Sequence, residues 1–142
     1  MTYDLDQIKV KLKEKFGEND DFLLAYERGD FKKGLSKLIT TNILSKRGES
    51  DLYILYFDND GIYISNISES LEDEFVVINW NKINFVNLIE KKKLAFLEIS
   101  DMEEIFDFEI LYEGEIFSEN RKNLKKLKRN NWNKDESLDN LL

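Results

Sequence analysis

Between Leu52 and Leu111 the apolar residues come in short runs separated by polar breaks, and no intervening segment is long enough for a helix. Leu52 to Phe57 is a run of β-branched, aromatic and aliphatic residues. Asp58-Asn59-Asp60-Gly61 interrupts it and Ile62-Tyr63-Ile64 resumes it. Asp and Asn bond their own backbone in turns and Gly supplies positive φ at little cost, so this stretch predicts a hairpin. Phe75 to Trp80 predicts a third strand. Ile83 to Ile89 predicts a fourth, interrupted by Asn84 and Asn87. Glu90-Lys91-Lys92-Lys93 predicts a hairpin tip, and Leu94 to Ile99 a fifth strand. In the sixth, Phe106, Phe108 and Ile110 alternate with Asp107 and Glu109, a period of two that predicts one buried and one wet face. Strands joined by short polar turns pair antiparallel, because a parallel pair needs a long crossover.

Before this block, Leu5, Ile8, Leu12 and Phe16 fall on one helical stripe. Asp4 with Gln7 fits a capping box and Gly17 fits a stop, which predicts a helix over 4–16. Lys9, Lys11, Lys13 and Lys15 fall mostly on its other, solvated faces. Phe22 to Tyr26 is ambiguous by period and is read as a strand because Gly29 ends it soon. Asp30 then caps a helix carried by Phe31, Leu35, Leu38, Ile39 and Ile43. After the sheet, Ser118 reads as the N-cap of a helix reaching about Asn131, with Phe117, Leu124 and Leu127 as its apolar stripe. The expected fold class is α+β: an antiparallel β-sheet or partly open barrel with N-terminal helices and a C-terminal amphipathic helix. Residues 1–132 form a single domain, and 133–142 read as a tail in which Leu138, Leu141 and Leu142 offer one amphipathic turn.

Composition mainly removes chemistry. The chain has 142 residues, 42% hydrophobic and 13% aromatic, enough for one packed core. It has no Cys and no His, which excludes disulfides, Cys- or His-ligated zinc, Ser–His or Cys–His nucleophile pairs and imidazole acid/base work. No apolar run approaches the ~20 residues that span a bilayer. The acidic start Met1-Thr2-Tyr3-Asp4 has no signal-peptide character, so a cytoplasmic protein is expected.

Charge adds direction. The formal net charge is −8, which disfavours nucleic acid as a partner. From Glu98 to Glu119 there is no Lys or Arg, whereas Arg121 to Arg129 holds six basic residues and no acid. Basic side chains in the last turns of a helix also complement its dipole, so that cluster has a structural reading first. Asp101, Glu103, Glu104, Asp107 and Glu109 form the candidate acidic, partner-binding face, with paired carboxylates for acid/base or metal chemistry as the weaker reading. Lys91, Lys92 and Lys93 are the candidate lipid-phosphate contacts. Asp58 and Asp60 before Gly61 fail as a calcium loop, because with Gly61 at the sixth position Tyr56 stands at the first and Ile67 at the twelfth. No metal, cofactor or Gly-rich phosphate loop is expected. Trp80 and Trp132 are read as core or rim aromatics, the second also as an exposed anchor.

The strand–turn–strand Leu55 to Ile64, the segment Ile78-Asn79-Trp80-Asn81-Lys82-Ile83-Asn84-Phe85-Val86, the strands Leu94 to Ile99 and Ile105 to Ile110, and the helix after them together resemble the bacterial PH-like and GRAM-type domains. The resemblance covers roughly residues 22 to 131. The helices at 4–16 and 30–46 are additions to the family pattern. It implies a seat for a lipid, peptide or protein rather than a catalytic site, and a superfold does not fix which. The function expected is a non-enzymatic module recognising a basic protein partner through the acidic face, for example a phage or plasmid inhibitor or an immunity protein. The alternative is a peripheral membrane module using the lysine tip.

Overall fold

The computed structural model describes residues 4–27, 51–68, 70–72 and 74–129. The helix expected over residues 30–45, Lys46, Arg47, Trp132 and the tail lie outside them.

Helix α1 spans Leu5–Phe16. Its capping box forms as the sequence predicts: the Asp4 carboxylate accepts from the Gln7 N–H at 2.9 Å, and the Gln7 side chain accepts from the Asp4 N–H at 3.0 Å. Gly17 stops it at φ +85°, donating its N–H to the Lys13 carbonyl. Ile8 and Leu12 are buried, each stabilising the fold by about 2 kcal/mol through burial alone.

Seven strands follow: β1 Phe22–Glu27, β2 Leu52–Asp58, β3 Gly61–Asn66, β4 Val76–Asn79, β5 Ile83–Glu90, β6 Leu94–Asp101 and β7 Ile105–Leu111. They make one antiparallel sheet in the order β4-β3-β2-β1-β7-β6-β5. Two meanders are therefore joined where β1 meets β7. The edge strands β4 and β5 are linked directly by a 3-10 turn at Trp80–Lys82, so the sheet curls towards itself without closing. The result is an α+β protein built on a partly open antiparallel barrel.

Phe22 to Tyr26, ambiguous by period, is a strand with almost every position buried. Leu23 and Ala25 face the barrel interior, while Phe22 and Leu24 face α1. β2 repeats the pattern, with Tyr53, Leu55 and Phe57 inside and Leu52, Ile54 and Tyr56 under α1. A strand covered on both faces reads as a continuous apolar run, which is why neither alternates. Phe16 seals this outer layer by stacking on Tyr56, centroids 3.8 Å apart and planes 5° apart.

Several local expectations change. Asp58 pairs with Gly61 across a two-residue turn, yet Gly61 is not among the positive-φ glycines. It is glycine because β4 passes over it: a Cβ there would sit 2.3 Å from the Ile78 carbonyl oxygen. Asn84 interrupts β5 as the extra residue of a bulge, since Ile83 and Phe85 pair with the adjacent Asp101 and Ser100. Asp107 is not on a wet face; it is 6% exposed, because the outer surface of β7 is largely covered.

Helix α2 runs Asn120–Arg129. Ser118 is not its N-cap: it closes a 3-10 turn at Glu115–Phe117 and has helical φ and ψ, whereas a cap residue is extended. Phe117 packs beneath α1, while Leu124 and Leu127 enter the barrel core. β1 and β7 pair only at Tyr26–Glu109 and Glu27–Phe108. Where they splay apart α2 fills the gap, its Asn120 and Asn123 side chains bonding β1 backbone at Leu24 and Phe22. Among the described residues no helix is long and apolar enough to cross a membrane.

Candidate anion-binding surface

The β5–β6 hairpin places Lys91, Lys92 and Lys93 at its tip, all three exposed. The Lys91 N–H donates to the Leu94 carbonyl at 2.8 Å, closing the turn. The register of β6 with β7, Leu94 opposite Leu111, brings the next residue, Tyr112, against this tip, and its N–H donates to the Lys93 carbonyl at 3.2 Å. α2 then crosses the same end. Arg121 donates through Nη2 to the Lys92 carbonyl at 3.1 Å, and its guanidinium lies 4.4 Å from the Tyr112 ring centroid, a cation–π contact. One helical stripe further, Lys128 pairs with Glu90 at the end of β5. Lys125 lies between them on the same stripe, exposed.

Lys91–Lys93 and the stripe Arg121, Lys125 and Lys128 thus form one rim. Lys91, Lys92, Lys93, Arg121 and Lys125 make no ion pair among the described residues, and Lys128 is the one cation of that rim that does, whereas Lys122 and Lys126 leave it to pair with Glu119 and Asp21. The carboxylates nearest in the chain are Glu90, held by Lys128, and the exposed Glu113 and Glu115. Burial, and then the charge of Glu90, push the Tyr112 phenol above its ordinary pKa, while Arg121 pulls it back. It is a neutral platform for the guanidinium.

The predicted acidic residues do not assemble in the same way. The Asp101 carboxylate is engaged inside the β6–β7 turn, accepting from the N–H groups of Glu103 at 2.8 Å and Glu104 at 2.7 Å. Glu103 is exposed and Glu104 half-buried. Asp107 and Glu109 do share a strand face, but the first is buried and the second half-buried beside Tyr26 and Phe96. Met102, which the sequence did not single out, is 75% exposed at this turn. Among the described residues no group of three or more acids could share a metal ion.

Two other places were candidates for chemistry. At the far end of β1, the Tyr53 hydroxyl donates to Glu27 at 3.4 Å, and Asn66 bridges Asp51 and Tyr53. Burial foremost, then the charges of Glu27 and Asp51, raise the Tyr53 pKa far beyond the usual phenol range, so it is no general base. The sign follows from proton counts. Above pH ~10 the unfolded chain releases this proton and the folded chain keeps it, so stability is full below ~10 and falls as pH rises. Tyr53→Phe is expected to flatten part of that alkaline decline in urea melts between pH ~9 and ~11; an unchanged slope would refute it. The second place is a groove of about 610 Å³ between α1 and the Gly17–Phe22 loop. Its lysines are engaged, Lys9 with Glu119 and Lys13 with Glu18, and Asp6 and Asp20 also line it, so no free cation is left there for an anion.

Comparisons with protein-family models, with curated proteins and with solved structures find no match for this chain.

Proposed function

We propose that this chain is a non-enzymatic, PH-like binding module of the cytoplasm that docks on an anionic phospholipid surface through Lys91, Lys92, Lys93, Arg121 and Lys125. The observation that carries the reading is the convergence of two basic segments, about thirty residues apart in the chain, onto one exposed rim. Four antiparallel strands, then three, then a helix across the end of the barrel support the PH-like part of the reading.

The net charge of −8 does not decide against it. β6 has eight residues, so at ~3.3 Å per residue the acidic β6–β7 turn stands about 25 Å from the lysine tip. That is about three Debye lengths at physiological salt, and those acids are screened from a surface that the tip touches. Each rim cation near an anionic leaflet contributes about 1 kcal/mol.

The test is co-sedimentation with phosphatidylglycerol-containing vesicles. The protein is expected to pellet at low salt and to be released as salt rises. Reversing Lys91, Lys92 and Lys93 to Glu should weaken binding by about 100-fold or more, three to six charges at about 1 kcal/mol each. These side chains are exposed, so the melting temperature should hold. Wild-type protein that stays in the supernatant at low salt sinks the reading.

A further inference from the structure

We infer that Arg121, Tyr112 and the lysine tip form a headgroup subsite for a terminal phosphomonoester, so that the surface selects phosphatidic-acid-type lipid over phosphodiester lipids of equal charge density. The inference rests on the membrane reading above and adds a chemical class to it. Bulk attraction needs only mobile lysines; a choice between monoester and diester needs a donor fixed in direction. Arg121 is fixed twice, by the bond from Nη2 to the Lys92 carbonyl at 3.1 Å and by the Tyr112 ring 4.4 Å from its guanidinium carbon. Guanidinium carries five N–H donors in one plane, and only one of them is spent on that carbonyl. The remaining donors include edges that can present two parallel N–H groups, the geometry that binds two phosphate oxygens at once.

The backbone holds the tip to the same place. The Tyr112 N–H bonds the Lys93 carbonyl and the Lys91 N–H bonds that of Leu94, so the three ammonium groups start from fixed Cα positions around Arg121. A fork oriented by two contacts and surrounded by flexible ammoniums suits an anion with three terminal oxygens and a second ionisation near pH ~6. Such a group takes its second negative charge more readily as hydrogen bonds to it form. A diester has two free oxygens and one charge whatever surrounds it. Glu90 is paired with Lys128, which offsets its charge near Tyr112, and Glu113 is the exposed acid next along the chain from Tyr112.

The experiment compares vesicles containing phosphatidic acid with vesicles containing phosphatidylglycerol, matched in measured surface potential. A parallel NMR titration follows the Arg121 side-chain N–H with glycerol 3-phosphate and with dimethyl phosphate. Wild-type protein is expected to bind phosphatidic acid about tenfold more tightly, and Arg121→Lys, which keeps the charge and loses the fork, to bring that ratio close to one. In the titration, glycerol 3-phosphate shifts the Arg121 signals and dimethyl phosphate does not. Equal binding of the two lipids by wild-type protein overturns the inference, and so does a preference that survives Arg121→Lys. Binding to neither vesicle, with Arg121 still shifted by glycerol 3-phosphate, removes the membrane reading and keeps the subsite. Silence in both arms removes both.

Discussion

Asn120→Ala is expected to lower the unfolding free energy by about 3 kcal/mol, more than any single truncation of an exposed residue. The Asn120 carboxamide replaces a missing piece of ladder. Continuing the β1–β7 register past Tyr26–Glu109 would set Leu24 opposite Leu111, but the strands have separated there. Asn120 Oδ1 accepts from the Leu24 N–H at 3.0 Å, and Nδ2 donates to the Leu24 carbonyl at 2.8 Å and the Leu111 carbonyl at 2.7 Å. Alanine leaves one buried donor and two acceptors short of a partner, each costing about 1–3 kcal/mol before water or relaxation recovers a part. Asn120→Asp should be worse, because a carboxylate oxygen would then face those two carbonyls. Urea denaturation decides it. The midpoint should drop with the m-value unchanged, and a loss under about 1 kcal/mol for Asn120→Ala would show that the gap between β1 and β7 is bridged some other way.

The second large effect is at Gly61. An added methyl meets the Ile78 carbonyl oxygen at 2.3 Å and the Asn79 Cα at 2.9 Å, and both obstacles are backbone. No rotamer change relieves such a clash, so Gly61→Ala must push β4 off β3. β4 is a four-residue edge strand whose inward anchor is Ile78. We expect a loss of about 2–4 kcal/mol, the range for overpacking and cavity opening at a core position, and a melting temperature lower by roughly 10 °C. Amide exchange should localise the damage to Val76–Asn79. Gly17→Ala supplies the contrast: nothing lies within 4 Å of its added methyl, and the cost, about 1–3 kcal/mol, comes from the backbone at φ +85° and ψ −177° alone. Unchanged amide exchange across Val76–Asn79 in Gly61→Ala would argue against the close approach of β4.

These two residues also mark where sequence reasoning ends. The elements were legible because each carries a local signal: alternation or β-branched runs for strands, Asp4 with Gln7 for the start of α1, Asp58 to Gly61 for the first turn. The reason for Gly61 was not legible, since its neighbour in space is an edge strand seventeen residues away in the chain. Asp107 misled because alternation reports side-chain direction and not what covers that side. Asn120 and Asn123 carry no local signal in the sequence; their role exists only once β1 and β7 diverge. The candidate site behaves likewise. Lys91–Lys93 stood out as a charge run, but their junction with Arg121 depends on the β6–β7 register and on where Tyr112 emerges. In the acidic set the turn role of Asp101 was not legible either, because its carboxylate accepts from the N–H groups of Glu103 and Glu104 only once the β6–β7 turn has formed.

β6 therefore carries cations at one extremity and carboxylates at the other. That separation is an electric dipole roughly aligned with the strand. Within a Debye length of a negative membrane the field acts mainly on whichever end is nearer, so the lysine end would be drawn in and the acidic end repelled, which holds Met102 and Glu103 outward, away from the lipid. Orientation would then be set during approach, ahead of any specific bond, and Met102 would face whatever came from solution.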